Sequence, residues 1–194
     1  MNLKIPNILT IGRIIVVPIF VITFFLPGMY GDLIPFFLFV GASFTDFLDC
    51  FLARMLKEES KLGELLDPIA DKILVCAALV LLVMNGIIKN YEVIAAIIIL
   101  TREILISSLR EFLAKISVAM PVTNLAKFKT FLQMFAISLL LTGEVGNKII
   151  NFEDYNAQTI GVILLWVSAF LTLYTGYGYL VKGIDHAIAE DNKN

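Results

Sequence analysis

The stretch from Leu33 to Arg54 reads LIPFFLFVGASFTDFLDCFLAR, and it sets two carboxylates, Asp46 and Asp49, into a run otherwise suited to lipid. A second pair, Asp67 and Asp71, follows in Gly63–Asp71, which reads GELLDPIAD. Spacings of three and four put each pair on one face of a helix. An ionised Asp at mid-membrane costs roughly 2.5–3.5 kcal/mol on insertion scales, and four converging carboxylates also repel one another. Something cationic must offset them. Oxygen-only donors at this density suit a hard divalent metal such as Mg²⁺.

Outward from these carboxylates, the 194-residue chain is 59% hydrophobic and 16% charged, with a mean hydropathy of +0.88. A soluble domain would be nearer half apolar and a quarter charged. The expected class is an all-α polytopic membrane protein, one domain over residues 1–194, with about six spans of roughly 20 residues. Apolar runs fall at about 11–26, 33–52, 66–88, 91–114, 127–142 and 157–181, separated by polar or Pro/Gly-containing breaks at 27–31, 57–64, 85–90, 117–124 and 143–156. The start of the chain has no small-residue cleavage site after its apolar stretch, so it reads as a retained first span. Segment 1–9 is too short to span, and its mild amphipathicity predicts that it lies along the membrane surface. Cys50 and Cys76, the only cysteines, have neither metal-ligand spacing nor a disulfide framework. His186 stands in the polar tail, where an exposed residue is the default. There is no internal repeat, and no nucleic-acid partner is expected.

Charge placement predicts orientation. Thirteen of the fifteen Lys and Arg residues lie in the N-terminal segment, the 54–72 region, the 102–129 region and the C-terminal tail. The other side holds only Lys89 and Lys148, with Asp32, Glu92, Glu144, Glu153 and Asp154. The positive-inside rule puts both termini and the Asp cluster on the cytoplasmic side.

The pattern Asp46-x2-Asp49-Cys50-x2-Ala53-Arg54-x8-Gly63-x3-Asp67-x3-Asp71 resembles the signature of the CDP-alcohol phosphotransferase family. Seven of its eight fixed positions match, and Cys50 stands where the family has Gly. The chemistry is compatible with the residues. Attack of an alcohol on a pyrophosphate needs charge neutralised on the transferring phosphoryl group and a base for the hydroxyl, and two metals can clamp the attacking and leaving oxygens. The resemblance implies that Asp46, Asp49, Asp67 and Asp71 hold two Mg²⁺ or Mn²⁺ ions. It gives Asp71 the further role of taking the acceptor proton. The competing reading, buried ion pairs with Arg54, Lys57 and Lys72, leaves the regular spacing unexplained.

By the same resemblance, Cys50, Ala53, Arg54, Ser60 and Gly63 bind the CDP-diacylglycerol. Arg54 offers a planar fork suited to a diphosphate, although a topology-setting charge explains it as well, and Ser60 reads equally as an inert loop residue. Pro6-Asn7-x-x-Thr10 and Arg13 resemble the family's nucleotide-pocket segment. Pro at a helix start followed by Thr has a plain capping explanation too.

Arg102-Glu103-Ile104, Arg110-Glu111-Phe112 and Lys127-x-Lys129-Thr130 belong to the fourth and fifth runs. Intramembrane cations are costly unless they meet an anion or reach the interface. Arg102, Arg110, Lys127 and Lys129 therefore predict a site for an acceptor phosphate. These segments are similar to the bacterial glycerol-3-phosphate branch of the family. That branch implies CDP-diacylglycerol and glycerol 3-phosphate as substrates, the bacterial inner membrane as location, and a homodimer. Interfacial anchoring is the alternative for these cations, more so for Lys115 and Lys129. Other acceptors within the family would make the chain a cardiolipin, phosphatidylserine or phosphatidylinositol phosphate synthase. A divalent-cation transporter is the rival outside enzymes; an Asp cluster near one face beside basic residues disfavours it.

Overall fold

A computed structural model describes residues 5–56, 61–115, 118, 123–152 and 155–191, and side chains within 12–45, 69–70, 72–114, 118, 123–150, 156–181 and 183–184. The elements are α1 (Ile5–Thr23), α2 (Met29–Leu56), α3 (Lys61–Met84), α4 (Glu92–Lys115), α5 (Asn124–Leu141), α6 (Gly143–Ile149), β1 (Asn151–Phe152), β2 (Tyr155–Asn156) and α7 (Ala157–Asp191). Apart from a two-residue antiparallel ladder, Asn151 with Asn156 and Phe152 with Tyr155, the secondary structure among the described residues is helical. Two compact units result, residues 1–88 with 137–161, and residues 89–136 with 162–194.

In the first unit, α2 and α3 both pack on α1. The buried stripe of α1 is Arg13, Val17 and Phe20, a helical repeat that presents one face, and Phe24 just past the helix end is buried with it. Phe20 meets Phe24 edge-on at 5.9 Å and lies 6.3 Å from Phe39 of α2. On α3, Ala70, Leu74, Ala78, Leu79 and Leu82 form the matching buried stripe. The opposite side of α1 is also apolar, with Ile15, Ile19 and Ile22 exposed.

Two expectations need correcting here. Residues 5–9 join α1 without a break, so they are not a separate surface segment. Pro6 falls in the first turn, where its missing N–H has no intrahelical partner to lose. Second, the polar break at 143–156 contains α6 and the ladder. Gly143 adopts φ +52°, and α6 departs from α5 at 94°. Asp32, in the first turn of α2, accepts the Glu144 N–H at 3.1 Å. It therefore satisfies one of the amide groups that a helix start leaves unpaired. Asn156 Oδ1 accepts the Thr159 N–H at 2.8 Å and so caps α7.

The second unit comprises α4, α5 up to Ala136, and α7 from Val162. Parts of α5 and α7 turn polar residues inward and apolar ones outward. On α5, Lys129 and Gln133 are 1% and 2% exposed, while Phe131 is 67% exposed and Phe128 and Phe135 lie open beside it. On α7, Ser168, Thr172 and Thr175 are buried, whereas Val167, Phe170, Leu173 and Tyr177 are exposed. Contiguous apolar surface of this kind is rare on soluble monomers; it suits contact with lipid.

Among the described residues, one segment, Ala157–Val181, has by itself the length and mean hydropathy (1.7) to cross a bilayer. The α5–α6 pair meets the same criterion only jointly, across its bend. The apolar described parts of α1, α2 and α3 are shorter, at Gly12–Thr23, Met29–Thr45 and Lys72–Met84.

Candidate active site

Asp46, Asp49, Cys50, Ala53 and Arg54 lie on the last three turns of α2, and Gly63, Asp67 and Asp71 on the first three turns of α3. Four residues, 57–60, connect the two helices, and α2 and α3 contact one another. A connection this short makes sequential helices antiparallel neighbours. Asp46 stands ten residues before the end of α2 at Leu56, and Asp71 ten residues after the start of α3 at Lys61. Asp49 and Asp67 stand seven and six residues from the same ends. At 1.5 Å per residue, the four carboxylate positions form two levels, about 15 Å and about 10 Å from the connection. The side chains of these residues lie outside the described set, as does Ser60 entirely.

Four carboxylates and no nitrogen or sulfur donor fit a hard divalent ion by donor chemistry. Among the residues with described side chains, no other group of three or more His, Cys, Asp or Glu could hold a metal. Arg13 of α1 is 3% exposed on the stripe that continues through Val17 and Phe20. Asn7 and Thr10 precede it on the same helix, with side chains outside the described set.

The four basic residues expected to meet the acceptor phosphate separate into two pairs. Arg110 and Lys127 are exposed. Lys129 is buried in an ion pair with Glu103 Oε1. Arg102 Nη1 approaches the same Oε1 at 3.5 Å, and its Nη2 donates to Thr175 Oγ1 at 3.5 Å. Residue types alone single out Arg102 and Lys129. They do not reveal Glu103 as the shared counter-ion, or Thr175 as the partner across on α7. The signal that could have found Glu103 is its position beside Arg102 directly after the apolar run 93–100, since a carboxylate in apolar surroundings needs a cation.

The family model for CDP-alcohol phosphatidyltransferase matches residues 3–174. The chain belongs to that family. Members generally use divalent metal ions, in keeping with the donor set on α2 and α3. Curated relatives match over nearly their whole length. A Rickettsia bellii protein is 44% identical over 176 residues, covering 91% of this chain and 93% of the relative. One from Rickettsia typhi is 45% identical, covering 91% and 94%. One from Cereibacter sphaeroides is 34% identical, covering 96% and 98%. All three carry the name CDP-diacylglycerol–glycerol-3-phosphate 3-phosphatidyltransferase. This member of the family is an enzyme of the phosphatidyltransferase type.

Proposed function

We propose that the chain transfers a phosphatidyl group from CDP-diacylglycerol to glycerol 3-phosphate, releasing CMP and phosphatidylglycerophosphate. The observation that carries this reading is the signature itself. Seven of eight fixed positions stand on the adjoining halves of α2 and α3, with the carboxylate positions in two matched levels. The name shared by the relatives supports the choice of acceptor.

In this reading Asp46, Asp49, Asp67 and Asp71 hold two Mg²⁺ or Mn²⁺ ions. When bound, the metal supplies positive charge against the diphosphate and its leaving group. Arg54 binds the diphosphate as a planar fork. Asn7, Thr10, Arg13, Cys50, Ala53, Ser60 and Gly63 complete the CDP-diacylglycerol pocket. The acceptor hydroxyl oxygen attacks the phosphorus that carries diacylglycerol, the bond from that phosphorus to the CMP oxygen breaks, and the hydroxyl proton passes to Asp71. Arg102, Arg110, Lys127 and Lys129 make the acceptor half basic, which suits a phosphorylated alcohol better than a neutral one.

We further propose six membrane spans in one domain, both termini and the Asp cluster on the cytoplasmic side of the bacterial inner membrane, and a homodimer. The inverted polarity of α5 and α7 supports the membrane assignment, and the distribution of Lys and Arg supports the orientation. Tyr91 at the start of α4 and Tyr174 and Tyr177 towards the far end of α7 are exposed, as aromatic residues at the two bilayer interfaces would be.

The test is product analysis with CDP-diacylglycerol and, in parallel, labelled glycerol 3-phosphate, serine, inositol phosphate or phosphatidylglycerol. A new labelled lipid product should form only from glycerol 3-phosphate, in step with CMP release. Efficient transfer to another alcohol, with none to glycerol 3-phosphate, overturns the acceptor assignment.

A further inference from the structure

The second unit buries two cations around one carboxylate. Glu103 Oε1 is shared by Lys129 Nζ and Arg102 Nη1. The side chains of Lys129, Arg102 and Glu103 are 1%, 13% and 22% exposed. A buried Lys in an apolar helix is costly without a counter-ion, and Glu103 supplies it. The two cations are held differently. Lys129 is in close contact with Glu103, whereas Arg102 is held only by two contacts of 3.5 Å, to Glu103 and to Thr175. Its buried Nε–H has no partner among the described residues.

These two contacts act as guides. Thr175 Oγ1 commits its proton to the Leu171 carbonyl at 2.8 Å, which leaves its lone pairs for the guanidinium. Gly176 adds a steric guide, because a Cβ there would stand 3.2 Å from Arg102 Cγ and 3.5 Å from its Nε. Arg102 therefore passes over α7 at the place where that helix has no side chain. A guanidinium steered from two sides, and held by no contact closer than 3.5 Å, keeps its charge for an anion.

We propose that Glu103 is a positioning residue for the acceptor phosphate. It fixes Lys129 as a brace and, with Thr175 and Gly176, aims Arg102 as the cation that meets the phosphate. This rests on the acceptor reading above, and it divides the basic residues further: Arg102 is a ligand, and Lys129 a support that does not touch substrate.

The test is steady-state kinetics of the full chain in CDP-diacylglycerol mixed micelles with Mg²⁺, varying each substrate separately. Glu103→Gln should raise the KM for glycerol 3-phosphate by roughly tenfold or more, the scale of a charge-assisted hydrogen bond, and leave the KM for CDP-diacylglycerol within about twofold. Glu103→Asp should recover part of the loss. The decisive variant is Glu103→Gln with Lys129→Gln, which removes both members of the close ion pair without restoring the guide. Positioning predicts that its KM for glycerol 3-phosphate stays high; recovery to the wild-type value would mean that Glu103 only neutralises Lys129, and would overturn the proposal.

If the Glu103 variants do not accumulate in the membrane, Gly176→Ala, which changes no charge, carries the same test. It should displace Arg102 and raise the same KM alone; unchanged kinetics would overturn the proposal. A wild-type chain that uses another alcohol refutes the acceptor reading instead, so the two failures are distinguishable.

Discussion

Replacing Gly143 by Ala should destabilise the corner between α5 and α6. Ala at φ +52° takes up a backbone conformation that costs an L-residue about 1–2 kcal/mol. Its Cβ would also fall 2.5 Å from Asp32 Cγ and 2.8 Å from Oδ2, so the carboxylate must move. That movement breaks the 3.1 Å bond from the Glu144 N–H, and loss of a helix-start cap costs roughly 0.5–2 kcal/mol. The two contributions together reach roughly 2–4 kcal/mol, a fall in Tm of roughly 5–15 °C for a chain of this size. The assay is thermal unfolding of the purified protein in detergent, followed by circular dichroism. Two companions separate the causes. Gly143→Asn tolerates positive φ better than Ala but keeps the clash, so its Tm should fall between wild type and Gly143→Ala. Asp32→Ala with Gly143→Ala removes the clash, and the pair should be less than additive. An unchanged Tm in Gly143→Ala, or strict additivity in the double variant, would refute the reasoning.

Asp→Asn at 46, 49, 67 or 71 should cut turnover by orders of magnitude without preventing membrane insertion, and EDTA should abolish activity until Mg²⁺ or Mn²⁺ is returned. Wild-type turnover in Asp67→Asn would sink the metal assignment. Arg110→Ala and Lys127→Ala, both at exposed positions, should raise the KM for glycerol 3-phosphate more than that for CDP-diacylglycerol; equal effects on the two would point to anchoring. Cys50→Gly restores the family residue and removes a CH₂SH group from the helix that carries Asp46 and Asp49. It should lower the KM for CDP-diacylglycerol or raise turnover, and unchanged kinetics would show that the pocket already accommodates the thiol.

The helical plan is legible in the sequence because long apolar runs are bounded by polar breaks. Runs at 66–88, 91–114 and 127–142 correspond to α3 at Lys61–Met84, α4 at Glu92–Lys115 and α5 at Asn124–Leu141. The Asp spacings of three and four do fall on helices. What escapes a sequence reading depends on distant partners. The segment after Leu141 is polar and short enough to pass for a loop, and the residue that stabilises α6 is Asp32, 112 positions away. Likewise, periodicity puts Arg102 and Glu103 on α4 and Lys129 on α5, but not the faces that meet. Arg102, Arg110, Lys127 and Lys129 look alike as residue types; only packing separates an inner braced pair from an outer exposed one.

The inverted polarity of α5 and α7 bears on how the protein is made. On α5 and α7, Phe128, Phe131, Phe135, Phe170 and Leu173 face outward while Lys129, Gln133 and Thr172 face inward, an arrangement that water disfavours. In water the outer residues would collapse onto one another and strand the inner ones. In the membrane reading proposed above, lipid covers those outer residues, and the pairing of Lys129 with Glu103 joins α5 to α4 once both helices lie in it. On that reading, lipid takes part in assembling the basic residues of α4 and α5, because it covers the faces that water would drive together.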